Sequence, residues 1–157
     1  TIALVVLGVA ALLWRRPPEF KALLGRVILF GLVNGAAFYA NFWLKHLFHR
    51  PRPLAHIMSY SYPSSHAMMA LAFYGSAVYL LWPKLTSPAA RTAVAAVGGL
   101  MPLVIGLSRV YLNWHYPSDI LGAYLAGGGI ILLLVLAFRN WPGLWPQERP
   151  NSLRSNS

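Results

Sequence analysis

The chain has 157 residues, 57% of them hydrophobic and 10% charged, with a mean hydropathy of +0.54. Soluble domains carry about 25% charged residues, so this is the composition of a membrane protein. There is no cysteine, which excludes disulfides, thiolate metal sites and cysteine nucleophiles. Net charge is +10, yet the only acids are Glu19, Asp119 and Glu148; this excludes a Mg²⁺ or Ca²⁺ site built from several carboxylates and the two-carboxylate chemistry of glycosidases.

Five apolar blocks follow one another. The first, residues 2–14, is too short to cross about 30 Å of hydrocarbon at about 1.5 Å per residue. It begins without a methionine, and the reading is of a chain whose first segment is clipped. It has neither the basic flank nor the small-residue cleavage site of a signal peptide. The second block covers 22–44, the third 67–82, the fourth 92–112 and the fifth 120–138. Short gaps join them, so residues 1–140 are expected to form one all-α, integral-membrane helical bundle, with 141–157 a disordered tail on the cytoplasmic side. Gly98, Gly99, Gly127, Gly128 and Gly129 fall inside spans, where small residues let helices approach closely. Asn34 and Asn41 are read as interhelical hydrogen-bonding residues.

The basic residues flank the apolar blocks, a pattern of topology and not of nucleic-acid binding. Arg15, Arg16, Lys21, Arg26, Lys84, Arg91, Arg139, Arg149 and Arg154 fall on one side, assigned to the cytoplasm. Lys45, Arg50, Arg52 and Arg109 fall on the other, where basic residues are disfavoured unless they have work to do. A site built from them faces the periplasm or cell exterior, on a multi-pass protein of the cytoplasmic (inner) membrane.

Three clusters meet at that face. Lys45 to Pro53 closes the second block, Tyr62 to His66 opens the third, and Ser108 to Asp119 joins the fourth to the fifth. Asp119 stands four residues after His115, and a carboxylate holding an imidazole prepares it for nucleophilic work. Lys45, Arg52 and Arg109 supply three cations for the equatorial oxygens of a transferring phosphoryl group. Pro63, Ser64 and Ser65 read as a helix N-cap whose free N–H groups accept an anion, with the Ser64 and Ser65 hydroxyls as further donors. Pro117 suits the first position of a helix and leaves His115 on the loop before it. In this arrangement His115 attacks phosphorus, Asp119 fixes its tautomer, and His66 protonates the leaving oxygen and then activates water. No metal or other cofactor is required.

In order and spacing these clusters resemble the type 2 phosphatidic acid phosphatase family, with its pattern Lys-x6-Arg-Pro, Pro-Ser-Gly-His and Ser-Arg-x5-His-x3-Asp. The match runs from Lys45 to Asp119, and its third motif is the most specific part. The resemblance implies His115 as nucleophile, His66 as acid, Asp119 as partner, and Lys45, Arg52, Arg109, Ser64 and Ser108 around the phosphate. It also implies six transmembrane helices, of which five would be visible here. The substrate implied is a lipid phosphate or pyrophosphate reached from the bilayer: phosphatidic acid, phosphatidylglycerol phosphate or undecaprenyl pyrophosphate. Ser65 stands where the family has glycine. It would be strained if that backbone needed a positive φ.

Blander readings exist for each residue taken singly. His66 is equally a helix cap, Lys45 and Arg52 are interface anchors, and Arg109 with Asp119 is a structural ion pair. Arg50, His46, His49 and His56 match no motif position. His46 and His49, three apart, raise the rival of a metal-dependent hydrolase. The other rivals are a lipid phosphotransferase using the same phosphohistidine and a non-catalytic anion or lipid transporter. The sequence does not fix an oligomeric state.

Overall fold

The computed structural model describes residues 17–54 and 59–140. The first apolar block, His56, and the tail expected to be disordered lie outside the described residues. Four helices follow in chain order: α1 (Pro18–Phe48), α2 (Ser65–Leu81), α3 (Pro88–Tyr111) and α4 (Pro117–Phe138). They correspond to the second to fifth apolar blocks and start a few residues earlier, while Trp82 and Leu112, expected to close the third and fourth blocks, fall just past the ends of α2 and α3.

Local chemistry sets the ends. Proline occupies the first turn of α1, α3 and α4, where its missing N–H has no intrahelical partner to lose. α1 stops where His49 turns left-handed at φ 48° and donates its N–H to the Lys45 carbonyl. Pro51 and Pro53 follow and prevent helix from resuming. α2 has 17 residues, about 25 Å of helix, and ends in a 3₁₀ turn at Trp82–Lys84. The other three helices are long and apolar enough to cross a membrane, by length and composition.

α2 is the centre of the bundle and packs on all three other helices. The core joins Leu29, Val33 and Ala37 of α1, Ala67, Met68 and Ala72 of α2, and Ile120 and Ala123 of α4. Half of these are alanines. Lipid tails are as apolar as leucine, so burial gives helices little reason to associate; close van der Waals packing through small residues does. Large apolar side chains instead face outward, among them Phe38, Trp43, Leu107, Leu125 and Leu133. The two asparagines of α1 bridge to α2 as expected. Asn34 Nδ2 donates to the Phe30 carbonyl and reaches Ser76 Oγ at 3.5 Å, and Asn41 Nδ2 donates to the Pro63 carbonyl at 3.2 Å.

The glycines divide. A Cβ on Gly98 would meet Val78, and one on Gly127 would come to 3.4 Å from the Met68 carbonyl, whereas Gly99 and Gly129 face open space. Comparably tight approaches occur at Gly106 under Tyr124 and Ile120, and at Gly122 against the Tyr62 ring. Gly122 lets α4 lie directly on the turn that leads into α2. Gly122→Ala is therefore expected to cost about 1–3 kcal/mol of stability as the Tyr62 turn is pushed away. Gly99→Ala should be close to neutral or slightly stabilising. Thermal unfolding of the two variants in the same detergent checks this, with the lower midpoint expected for Gly122→Ala.

Candidate active site

Up-and-down connection brings four helix ends together: the C-terminal ends of α1 and α3 and the N-terminal ends of α2 and α4. The three sequence clusters lie on these ends and on the loops between them. A backbone hydrogen bond from Ser64 N–H to the Asp119 carbonyl, 3.1 Å, ties the start of α2 to the first turn of α4. Two helix N-termini, each with unpaired N–H groups and positive dipole ends, thus meet beside the basic residues.

Asp119 is fully buried. Tyr116 precedes α4, and its N–H donates to Asp119 Oδ2 at 2.9 Å, so the carboxylate caps its own helix. The same oxygen faces His115 Nδ1 at 3.4 Å. The other oxygen, Oδ1, accepts from Arg50 Nη1 at 2.9 Å. His115 is also buried, and its Nε2 lies 3.2 Å from Arg52 Nη1. A guanidinium only donates, so Nε2 is the acceptor and Nδ1 carries the proton, pointed at Asp119. Arg52 is held in turn by the Trp114 carbonyl at 3.1 Å and by Ser59 Oγ at 2.7 Å. Burial first, then the Arg52 guanidinium and the Lys45 ammonium, push the His115 imidazole down to about 4, against the opposing pull of Asp119.

The remaining candidates surround this line. Lys45 Nζ donates to the Tyr60 carbonyl at 2.7 Å. His66 is exposed on the first turn of α2, within electrostatic reach of Arg109, Arg52 and Lys45. Arg109 stacks over Trp114, with its Cζ 5.3 Å from the ring centroid, and its Nε donates to Ser108 Oγ at 3.2 Å. Ser108 in turn donates to the Ile105 carbonyl. Ser64 is the N-cap of α2 through its backbone, and no side-chain cap bond is made. Its Oγ is buried without a hydrogen-bond partner among the described residues, a donor held ready beside the cluster.

Ser65 begins α2 without strain, because the positive-φ non-glycine residues among those described are His49 and Asn113. Its hydroxyl donates to Asn41 Oδ1 at 2.6 Å. Arg109 and Asp119 make no ion pair among the described residues; Asp119 pairs with Arg50 instead. Arg50 matched no motif position. Its only sequence signal is membership of the four basic residues on the outward side. His46 and His49 are engaged separately, His46 Nδ1 on the Phe42 carbonyl at 2.7 Å and the His49 ring against Tyr60.

The chain matches the model of the PAP2 superfamily over residues 26–142. It is 34% identical over 105 residues to phosphatidylglycerophosphatase B of Bacillus subtilis (strain 168), covering 64% of this chain and 52% of that protein. It is 30% identical over 110 residues to a protein of Escherichia coli (strain K12) named as an undecaprenyl-diphosphatase, covering 64% and 51%. The chain thus spans about half the length of these relatives. The crystal structure of a transmembrane PAP2-type phosphatidylglycerolphosphate phosphatase from Bacillus subtilis superposes with a TM-score of 0.65 at 26% identity, covering 89% of this chain and 85% of that one.

The electrostatics of His115 can be measured directly. In the unfolded chain an imidazole titrates near 6.5, and in the folded protein His115 stays neutral down to about 4. Between these values the unfolded state takes up a proton that the folded state refuses, so His115 makes folding less favourable as pH falls through that window. Histidine-selective NMR in detergent is expected to show His115 titrating near 4, with its proton on Nδ1 above that. A midpoint at 6.5 would contradict the burial and cation environment described here.

Proposed function

The chain belongs to the PAP2 superfamily, and on that premise we propose that it hydrolyses a membrane lipid phosphate or pyrophosphate through a phosphohistidine at His115. The observation that carries this reading is the line Asp119–His115–Arg52: a buried imidazole, neutral at physiological pH, with Nδ1–H on a carboxylate and its Nε2 lone pair turned toward a cation.

The reaction divides into two displacements. Nε2 of His115 attacks phosphorus in line with the lipid oxygen. The new N–P bond forms as the P–O bond to the lipid breaks, and protonated His66 gives its proton to the departing oxygen. Lys45, Arg52 and Arg109 neutralise the charge spread over the three equatorial oxygens, which is the principal demand of phosphoryl transfer. Ser64 Oγ and the free N–H groups of α2 are assigned to the same oxygens; the Ser65 and Ser108 hydroxyls already donate to Asn41 and to the Ile105 carbonyl. Asp119 balances the positive charge that develops on His115 once its second nitrogen is phosphorylated. His66, now neutral, takes a proton from water; the water oxygen attacks phosphorus, the N–P bond breaks, and inorganic phosphate leaves with both histidines restored.

The substrate is assigned to the bilayer. The four helices present apolar side chains outward, and three of them are long and apolar enough to span, so a lipid headgroup can reach the helix ends laterally. Lys45, Arg50, Arg52 and Arg109 lie at the helix ends opposite Lys21, Arg26, Lys84, Arg91 and Arg139; the more basic end is assigned to the cytoplasm, which supports an outward-facing site. Phosphatidylglycerol phosphate and undecaprenyl pyrophosphate are the first substrates to examine, because the relatives bear those names; phosphatidic acid is the third.

The test is phosphate release from these three lipids in detergent with excess chelator, for the native chain and His115→Ala. Release by the native chain alone is expected. His66→Gln should slow it by roughly 10²–10⁴-fold, the usual worth of a positioned acid–base group. Release that survives His115→Ala would overturn the nucleophile, and release abolished by chelator would favour a metal-dependent route.

A further inference from the structure

Arg50 lies two residues before the arginine that the family pattern contains, and nothing in that pattern gives it a task. Its placement is nonetheless fixed from several sides. His49 turns left-handed at the end of α1, which swings the chain back over α4. The Arg50 carbonyl then accepts from Ser61 N–H at 2.8 Å, and the next carbonyl, Pro51, accepts from Ser61 Oγ at 3.0 Å. Its guanidinium lies over the Tyr116 ring, Cζ to centroid 4.2 Å. From there Nη1 donates to Ser118 Oγ at 2.7 Å and to Asp119 Oδ1 at 2.9 Å. Arg50 thus reaches across 69 positions of sequence to the carboxylate oxygen that His115 does not use.

We infer that Arg50 is a positioning residue for the reaction: it clamps the Asp119 carboxylate from behind, so that Oδ2 is presented to His115 Nδ1 and Nε2 faces the phosphate cations. The inference rests on His115 acting as proposed above. A carboxylate with no exposed surface cannot rely on water for its second oxygen, and among the described residues Arg50 is its ionic partner on that side. The half-buried guanidinium does this while leaving Lys45, Arg52 and Arg109 for the substrate. Two arginines two residues apart thereby divide the work, Arg52 in front of the imidazole and Arg50 behind the carboxylate.

Arg50 also sets how strongly Asp119 acts on His115. The charged groups that act on that imidazole are Arg52 on the loop, Lys45 on α1 and Asp119 on α4. Arg50 stands beyond Asp119 and offsets its charge. Without Arg50 the carboxylate favours imidazolium more strongly against burial, Arg52 and Lys45, so the His115 midpoint moves upward, toward the ordinary range.

Arg50 also borders an open pocket with Phe48, His49, Pro51 and Tyr62, and a direct contact with a lipid headgroup there would leave a different signature. The experiment is histidine-selective NMR titration of the full chain in detergent, with steady-state phosphate release, for wild type, Arg50→Gln and Arg50→Lys. In Arg50→Gln the His115 midpoint is expected to rise by about one unit. Turnover is expected to fall by roughly ten- to a hundredfold, the range known for groups that orient a working side chain, with KM within about twofold. Arg50→Lys keeps the cation but not the fork, so it should give a smaller upward shift and a partial recovery of kcat. It carries the test if Arg50→Gln does not fold. An unmoved His115 midpoint in either folded variant would overturn the inference, and so would a raised KM with unchanged kcat, which would mark Arg50 as a headgroup contact. Absence of phosphate release by the wild type would instead count against the proposed activity, and the titration would still judge the clamp.

Discussion

Asp119 is a carboxylate without exposed surface at the end of a membrane bundle, and the arrangement around it follows from that burden. Removing such a group from water costs several kcal/mol unless its lone pairs are met by donors. Three chain segments meet the need: the loop after α1 through Arg50, the loop after α3 through His115, and the start of α4 through Tyr116 N–H. The carbonyl of the same residue accepts from Ser64 N–H and so fixes the start of α2. One residue therefore ties together the four helix ends that form the site. Losing any one of these donors would leave a buried carboxylate oxygen short of a partner.

The same network explains how a histidine surrounded by arginines stays useful. Burial and two nearby cations oppose a charge on His115, while Asp119 holds the ring by its other nitrogen. The imidazole is thereby kept neutral, with its proton on Nδ1 and its Nε2 lone pair turned to Arg52, the state that the proposed nucleophile needs. The cost is a cluster of like charges at one end of an apolar bundle. It is tolerable because Lys45 and Arg52 are only partly buried at the helix ends, and the proposed anionic substrate would supply the counter-charge.

Much of this was legible in the sequence for identifiable reasons. Apolar blocks longer than a helix turn many times over fix the helices. Pro117 fixes the start of α4, and the spacing of His115 and Asp119 across that start puts the two side chains together. Lys45 and Arg52 stood out because they fall opposite the larger set of basic residues, on the side where the positive-inside rule expects few. What remained hidden depends on chain paths. Which arginine of the pair at 50 and 52 turns toward Asp119 is decided by the left-handed turn at His49 and by the Ser61 bonds, neither of which has a spacing rule. The close approach of Gly122 to Tyr62 likewise joins distant segments. Ser65, expected to be strained if its backbone needed a positive φ, is an unstrained first helical residue whose hydroxyl goes to Asn41, a partner 24 positions earlier on another helix.

The central claim is that His115 attacks through Nε2 while Asp119 occupies Nδ1. Trapping the covalent intermediate tests it most directly. Wild-type protein mixed with a ³²P-labelled lipid phosphate and quenched in base should retain label on His115 that is stable to alkali and lost in acid. NMR of the purified phosphopeptide should place the phosphorus on Nε2. Phosphorus on Nδ1, label on a different residue, or turnover without any trapped label would contradict the account.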